Sequence, residues 1–298
     1  MSGGTMHPGE AAFGDDLVRR LLDSQFPRWA SLPLERIDSS GTVNVLYRLG
    51  DGLVVRLPRV FDDGTTWAGR GVDRDREWLP RLAPLLPVRV PRLVEKGQPD
   101  EGYPAAWGVY EWLPGELPEV ERLADAESLA RALAAFVLAL RAVELGGGPE
   151  SARGSSLERW DAPVRAALPE LAGEIDAVAA LEAWERALAA PAWDGAHVWV
   201  HGDLMPANLL LEGAELTGVL DWGGAGLGDP AIDLQPAWNL LSGPARQVFR
   251  EELEVDDASW ERGRGWALWT GIVALPYYRE SNRGLAGNAA FRIRQVLA

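Results

Sequence analysis

Cysteine is absent from the 298-residue sequence. That excludes disulfides, thiolate catalysis and cysteine-ligated metal. Basic side chains are scarce relative to acidic ones, 29 Lys plus Arg against 44 Asp plus Glu, for a net charge of −15. Such a balance disfavours nucleic acid or an anionic membrane as the main partner. Long apolar runs are missing too. The longest helical one, Ala132 to Leu140, is bounded by Arg131 and Arg141 and is too short to span a bilayer. The opening MSGGTMHPGEAA has no apolar signal core, and no internal repeat is visible. A soluble, cytoplasmic protein with no nucleic-acid or membrane partner is expected. About half the residues are apolar, so a chain of this length buries a substantial core.

What is present is ordered. Leu17, Val18, Leu21 and Leu22 recur at helical spacing within 15–26. Val43, Val45, Tyr47 and Leu49 then alternate, Asp51-Gly52 marks a turn, and Leu53-Val54-Val55-Arg56-Leu57 follows, a β-hairpin pattern. Helix returns over 73–83, with strands expected at 92–95 and 106–112. After LPGELP (113–118) the chain turns Ala- and Leu-rich, predicting helix over 125–145 and again over 161–190. Short strands at 197–200, 208–211 and 217–220 interrupt it before aromatic-rich helices from 229 onward. The reading is α+β: a small β-rich part and helix over 1–112, then a larger, mainly helical part over 113–298.

The chemistry concentrates in HGDLMPAN (201–208) and in Val219-Leu220-Asp221-Trp222-Gly223. Gly, Asp, Pro and Asn also suit a tight loop for backbone reasons alone. Yet Asp203, Asn208 and Asp221 together supply what phosphoryl transfer from a nucleotide needs. A carboxylate and an amide oxygen hold Mg²⁺ against phosphate oxygens, and a second carboxylate orients an acceptor hydroxyl and takes its proton. The spacing His-Gly-Asp-Leu-x-x-x-Asn follows the kinase catalytic-loop pattern, with Gly in place of Arg.

SSGTVNVLYRL, LVVRLPR, WLPRLAPLLPVRVP, VYEWLPGE, HGDLMPANLLL and LDWGGAGLGDPAIDL occur in one order over roughly 35–240. In this the chain resembles the aminoglycoside phosphotransferase-like enzymes, small-molecule kinases with a bilobal protein-kinase-like fold. The resemblance implies Asp203 as catalytic base and Asn208 and Asp221 as Mg²⁺ ligands. His201 orders the loop, and Asp233 and Gly228-Asp229-Pro230 are structural. It places a phosphate-covering loop at Ser39–Asn44, with Gly41 and Asn44 near phosphate, and puts Arg56 where the family has a phosphate-pairing Lys. Arg56 also suits a solvent-facing strand position. Its helix partner is Asp75, on one face with Leu79 and Leu82, or Glu77; Asp75 is favoured. Backbone groups around Glu111 and Leu113 then read the nucleobase, leaving ATP and GTP both open.

No short motif identifies the acceptor. Trp160, Trp184, Trp193, Trp238, Trp260, Trp266, Trp269, Tyr277 and Tyr278 suit a core as well as a pocket, and Glu119, Glu158 and Asp161 suit solvated surface. The expected activity is Mg²⁺-dependent O-phosphorylation of a small molecule by ATP or GTP. An aminoglycoside or related antibiotic leads as acceptor, with resistance as the outcome. A macrolide, a peptide antibiotic or a metabolite hydroxyl is the alternative. A nucleotide-binding pseudokinase or a metal-dependent hydrolase keeps some of the same residues. The expected state is monomer or homodimer.

Overall fold

The computed structural model describes residues 14–37, 43–60, 71–151 and 153–298. The chain divides into two compact units, Met1–Arg81 with Val90–Pro114, and Leu82–Arg89 with Gly115–Ala298.

The first unit carries helix α1 (Asp15–Gln25), strands β1 (Leu34–Arg36), β2 (Asn44–Leu49) and β3 (Leu53–Pro58), helix α2 (Gly71–Leu82), and strands β4 (Leu93–Gly97) and β5 (Trp107–Glu111). The five strands form an antiparallel sheet in the order β1-β2-β3-β5-β4. The β2–β3 hairpin closes with Leu49 opposite Leu53, and Gly50 takes φ 58° in the turn, a value open to glycine. The helical spacing in α1 buries Val18, Leu21 and Leu22. They share one core with the inward residues of the alternating strands, among them Val45, Tyr47, Leu49, Val55, Leu57, Trp107 and Val109. Lys96, the only lysine in the sequence, pairs with Asp73 at 2.5 Å.

The second unit holds α3 (Ala126–Arg141), α4 (Asp161–Ala167), α5 (Ala177–Ala189), β6 (Val198–Val200), β7 (Leu209–Glu212), β8 (Glu215–Val219), β9 (Gly226–Gly228), α6 (Pro236–Asn239), α7 (Gly243–Glu252), α8 (Asp257–Tyr278) and α9 (Arg283–Leu297). Two two-stranded ribbons, β6–β9 and β7–β8, stand among the helices. Side chains cap several helix starts: Asp125 accepts from Ser128, Asp176 from Ala179, Asp256 from Ser259 and Asn282 from Leu285.

The continuous helix expected over 161–190 is broken. α4 gives way to a 3₁₀ turn at Leu168–Leu171, and α5 restarts after Asp176. Pro169 lacks a helix donor, and Gly173 has φ 93°, outside helix geometry. The three-residue strands β1 and β9 have no counterpart in the sequence reading, being too short for alternation to register. No helix among the described residues is long and apolar enough to cross a membrane.

Candidate active site

Asp203 lies on the loop leaving β6, and that loop is fixed from below. Both oxygens of Asp233 accept main-chain N–H groups, from His201 at 2.7 Å and Gly202 at 2.8 Å. Asp233 is fully buried. Burial pushes its carboxyl up from the ordinary range, while His201, the two amides and Arg141 act in the opposite direction. Gly202 has φ 79°, and a Cβ there would stand 3.1 Å from the Gly224 carbonyl oxygen and 3.2 Å from Ser151 Oγ. Glycine is required on both counts.

The loop is then stitched to the end of β8. His201 Nε2 lies 2.9 Å from the Leu220 carbonyl, which can only accept, so Nε2 carries the proton. Nδ1 is thereby the acceptor for the Asp203 N–H at 3.3 Å. Leu220 N–H in turn donates to the Asn208 carbonyl at 2.8 Å. These bonds bring the backbones bearing Asp203, Asn208 and Asp221 together. Asn208 Nδ2 donates to the Asp203 carbonyl at 2.9 Å and stands 3.4 Å from Asp203 Oδ2. That leaves Asn208 Oδ1 without a hydrogen bond among the described residues. Asp221 sits at φ 57°, ψ 68°, a left-handed conformation that Asp tolerates better than most residues.

Three residues beside this loop carry no motif signal. Arg153 Nη1 pairs with Asp203 Oδ1, the two side chains 38% and 23% exposed. Asp203 holds the Arg153 guanidinium above its ordinary value, burial opposes, and Asp221 adds to the rise. Arg292 is buried and donates to the neutral Gln235, Thr270 and Asn288, and its Nε has no partner among the described residues. Burial pushes it down to about 10, with Asp203 favouring and Arg153 opposing its charge. Asn239 donates from Nδ2 to the Leu204 carbonyl at 2.7 Å. Isolated from one another in the sequence, none of the three forms a pattern with 201–208.

In the first unit, Arg56 Nη1 pairs with Asp75 Oδ2 at 3.1 Å, with side chains 15% and 3% exposed. Tyr110 donates its hydroxyl to the same carboxylate oxygen at 2.7 Å. Burial, then Asp75, pushes the Tyr110 hydroxyl far above its ordinary range, so it is a donor here. In the orientation its neighbours require, the Asn44 amide oxygen accepts from Arg56 Nε at 2.9 Å and Nη2 at 3.0 Å. Arg56 is therefore held by a strand neighbour and a helix carboxylate, while Glu77 is exposed. Glu111 spends its N–H on the Arg92 carbonyl at 2.9 Å. Its side chain pairs with Arg92, which holds that carboxyl below the ordinary range. No hydrogen bond reaches the Leu113 N–H among the described residues. Gly41 lies outside the described residues.

The aromatic candidates mostly pack on one another: Trp160 on Trp269 at 4.3 Å, Trp238 on Trp260 at 4.6 Å, Trp266 on Trp269 at 5.5 Å. Trp184 donates to Asp161 at 2.8 Å, and Asp161 also pairs with Arg165. Trp193 bonds the Ala196 carbonyl. Tyr277 and Tyr278 meet edge to face. Glu119 pairs with Arg122, and Glu158 is exposed.

Among the described residues, no cluster of three or more His, Asp or Glu suits a metal ion. An amide oxygen and a single carboxylate, Asn208 and Asp221, do fit Mg²⁺. That ion keeps few protein ligands and takes the rest from phosphate and water.

A small antiparallel sheet with two helices, followed by a mainly helical unit with strand-borne loops, defines an α+β protein of the protein-kinase-like type. The model of the phosphotransferase enzyme family matches residues 35–266, and the chain belongs to that family. Its fold is similar to the GDP complex of wild-type aminoglycoside 2'-phosphotransferase-IIIa, with TM-score 0.72, 16% identity, and coverage of 96% of this chain and 99% of that one. The GDP and kanamycin complex of APH(2")-IIIa gives 0.69 at 17% identity, covering 94% and 97%. The macrolide 2'-phosphotransferase MphH from Brachybacterium faecium gives 0.57 at 25% identity, covering 94% and 98%. No curated protein matches the chain in sequence.

Proposed function

We propose that the chain transfers the γ-phosphoryl group of ATP or GTP to a hydroxyl of a small antibiotic-type molecule. The observation that carries this is the stitched loop: Asp203, Asn208 and Asp221 held on backbones tied through His201, Leu220 and Asp233. In this reading Asp203 accepts the hydroxyl proton as the oxygen attacks phosphorus. Asn208 Oδ1 and the Asp221 carboxylate hold Mg²⁺, which when bound neutralises charge on the phosphate oxygens. Arg56, fixed by Asn44 and Asp75, grips a nucleotide phosphate; a guanidinium keeps the charge of the family's Lys and adds a forked geometry. Around Glu111, the Leu113 N–H meets the nucleobase edge.

Solved relatives described with kanamycin, gentamicin or streptomycin, and others described as macrolide phosphotransferases, support both acceptor classes.

The test is mass spectrometry of an aminoglycoside and macrolide panel incubated with the protein, Mg²⁺ and ATP or GTP. A mass gain of one phosphate, lost in Asp203→Ala, is expected. Absence of product with either nucleotide across the panel and across simple hydroxyl metabolites overturns the assignment.

A further inference from the structure

Arg153 sits on a segment whose geometry is built from both sides. Ser151 N–H donates to the Leu227 carbonyl at 2.9 Å, and Leu227 N–H returns to Pro149 at 2.7 Å. Ser151 Oγ donates to the Gly224 carbonyl at 2.9 Å and accepts from Gly154 N–H at 3.2 Å. Asp229 N–H donates to the Gly154 carbonyl at 2.9 Å. The approach is close enough that a Cβ on Gly154 would fall 2.9 Å from Gly228 Cα, and one on Gly226 would fall 2.4 Å from the Pro149 carbonyl. So Pro149, Ser151 and Gly154 are strapped along β9, in the segment that follows Asp221, and Ser151 itself is buried.

So constrained a backbone fixes the point from which the side chain starts, and the contact with Asp203 orders the side chain itself. Its guanidinium has five N–H donors in a planar fork, and Nη1 makes the contact with Asp203 Oδ1. Had the pair been a surface ion pair, it would contribute little and would need no strap behind it.

We infer that Arg153 is a second catalytic side chain: beside Asp203, the guanidinium fork also bonds oxygens of the phosphoryl group in flight. This rests on the phosphotransferase reading above. In the step, the acceptor O–H bond breaks and its proton passes to Asp203. The acceptor oxygen forms a bond to phosphorus, and the bond from phosphorus to the bridging oxygen breaks, releasing nucleoside diphosphate. Arg153 exchanges no proton. It stabilises charge that grows on the equatorial oxygens, as a fixed cationic donor does. With the Arg153 contact on Oδ1, Asp203 Oδ2 is the oxygen assigned to the hydroxyl, and Asn208 Nδ2 stands 3.4 Å from it.

The test uses the full chain with Mg²⁺ and ATP or GTP, reading release of inorganic phosphate with water as acceptor and, in parallel, transfer to whichever panel compound is modified. Arg153→Met is expected to lower kcat about a hundredfold, the scale for removing one fixed donor. Its affinity for a fluorescent nucleotide and its melting temperature stay near those of the parent. Arg153→Lys recovers part of the loss, and millimolar guanidinium restores turnover to Arg153→Met but not to Asp203→Ala. A kcat for Arg153→Met within threefold of the parent overturns the inference while leaving the phosphotransferase reading intact. So does a loss in Arg153→Met that guanidinium and Arg153→Lys both fail to recover. A parent protein that releases no phosphate and modifies no compound overturns both.

Discussion

Asn239 Nδ2 donates to the main-chain carbonyl of Leu204 at 2.7 Å, tying α6 to the residue next to Asp203. Asn288 of α9 donates to the Asn239 carbonyl at 2.9 Å, and Arg292 holds the Asn288 amide at 3.0 Å. The last helix is thus wired to the loop that carries Asp203. In Asn239→Ala the Leu204 carbonyl loses a buried partner, a change of about 1–3 kcal/mol. Urea unfolding is expected to show that loss with an unchanged m-value.

Asp233 is acceptor-only where two N–H groups point at it, so shape alone does not replace it. In Asp233→Asn one amide end still accepts, but the other turns an NH₂ toward a main-chain N–H. Stability is expected to fall by about 1–3 kcal/mol, and turnover to fall with it as Gly202 and Asp203 lose their footing. An equal melting temperature for Asp233→Asn and the parent contradicts this account.

Removing Asp75 leaves Arg56 largely buried beside Tyr110, with its carboxylate gone. Breaking such a pair from one side costs about 3–5 kcal/mol in a buried setting, and the slight exposure of Arg56 puts Asp75→Ala at the lower end. Tyr110→Phe removes a single hydrogen bond and costs about 1 kcal/mol. Calorimetry on both variants gives the order. Titration with Mg²⁺ and nucleotide is expected to show weaker binding for Asp75→Ala than for Tyr110→Phe.

The cap of α8 makes a pH-dependent contribution. Asp256 accepts from the Ser259 N–H at 2.7 Å and from its hydroxyl at 3.1 Å. The backbone bond, more than any other cause, holds its carboxyl below the ordinary 3.8. Because the folded value is the lower one, the contribution is complete above pH 3.8 and disappears as pH falls through the folded value. Asp256→Ala is expected to cost about 1 kcal/mol at neutral pH. The difference from the parent should shrink in urea titrations carried progressively into acid.

Much of the fold is legible in the residues because its signals are local. The alternation around the Asp51-Gly52 turn is the β2–β3 hairpin, and the 3.6-residue spacing of Leu17 to Leu22 is the buried face of α1. Within the candidate site, the elements bearing Asp203, Asn208 and Asp221 are legible for the same reason, each at the end of a short strand. What is not legible depends on partners far along the chain. Arg153 meets Asp203, Asn239 meets Leu204 and Tyr110 meets Asp75 only after folding. The break within 161–190 is a local matter that the apolar pattern outweighed: Pro169 and Gly173 were present in a segment otherwise rich in helix formers.

The lone ε-amine of this protein stands on β4, engaged with Asp73, and Arg56 occupies the strand position paired with Asp75. Reagents that tag nucleotide pockets by acylating a lysine therefore find no nucleophile at Arg56, since a guanidinium stays protonated and unreactive. Surveys that rely on such acylation would pass over this chain even if it were fully active. Conversely, amine-selective dyes would meet a single side-chain amine in this sequence, that of Lys96.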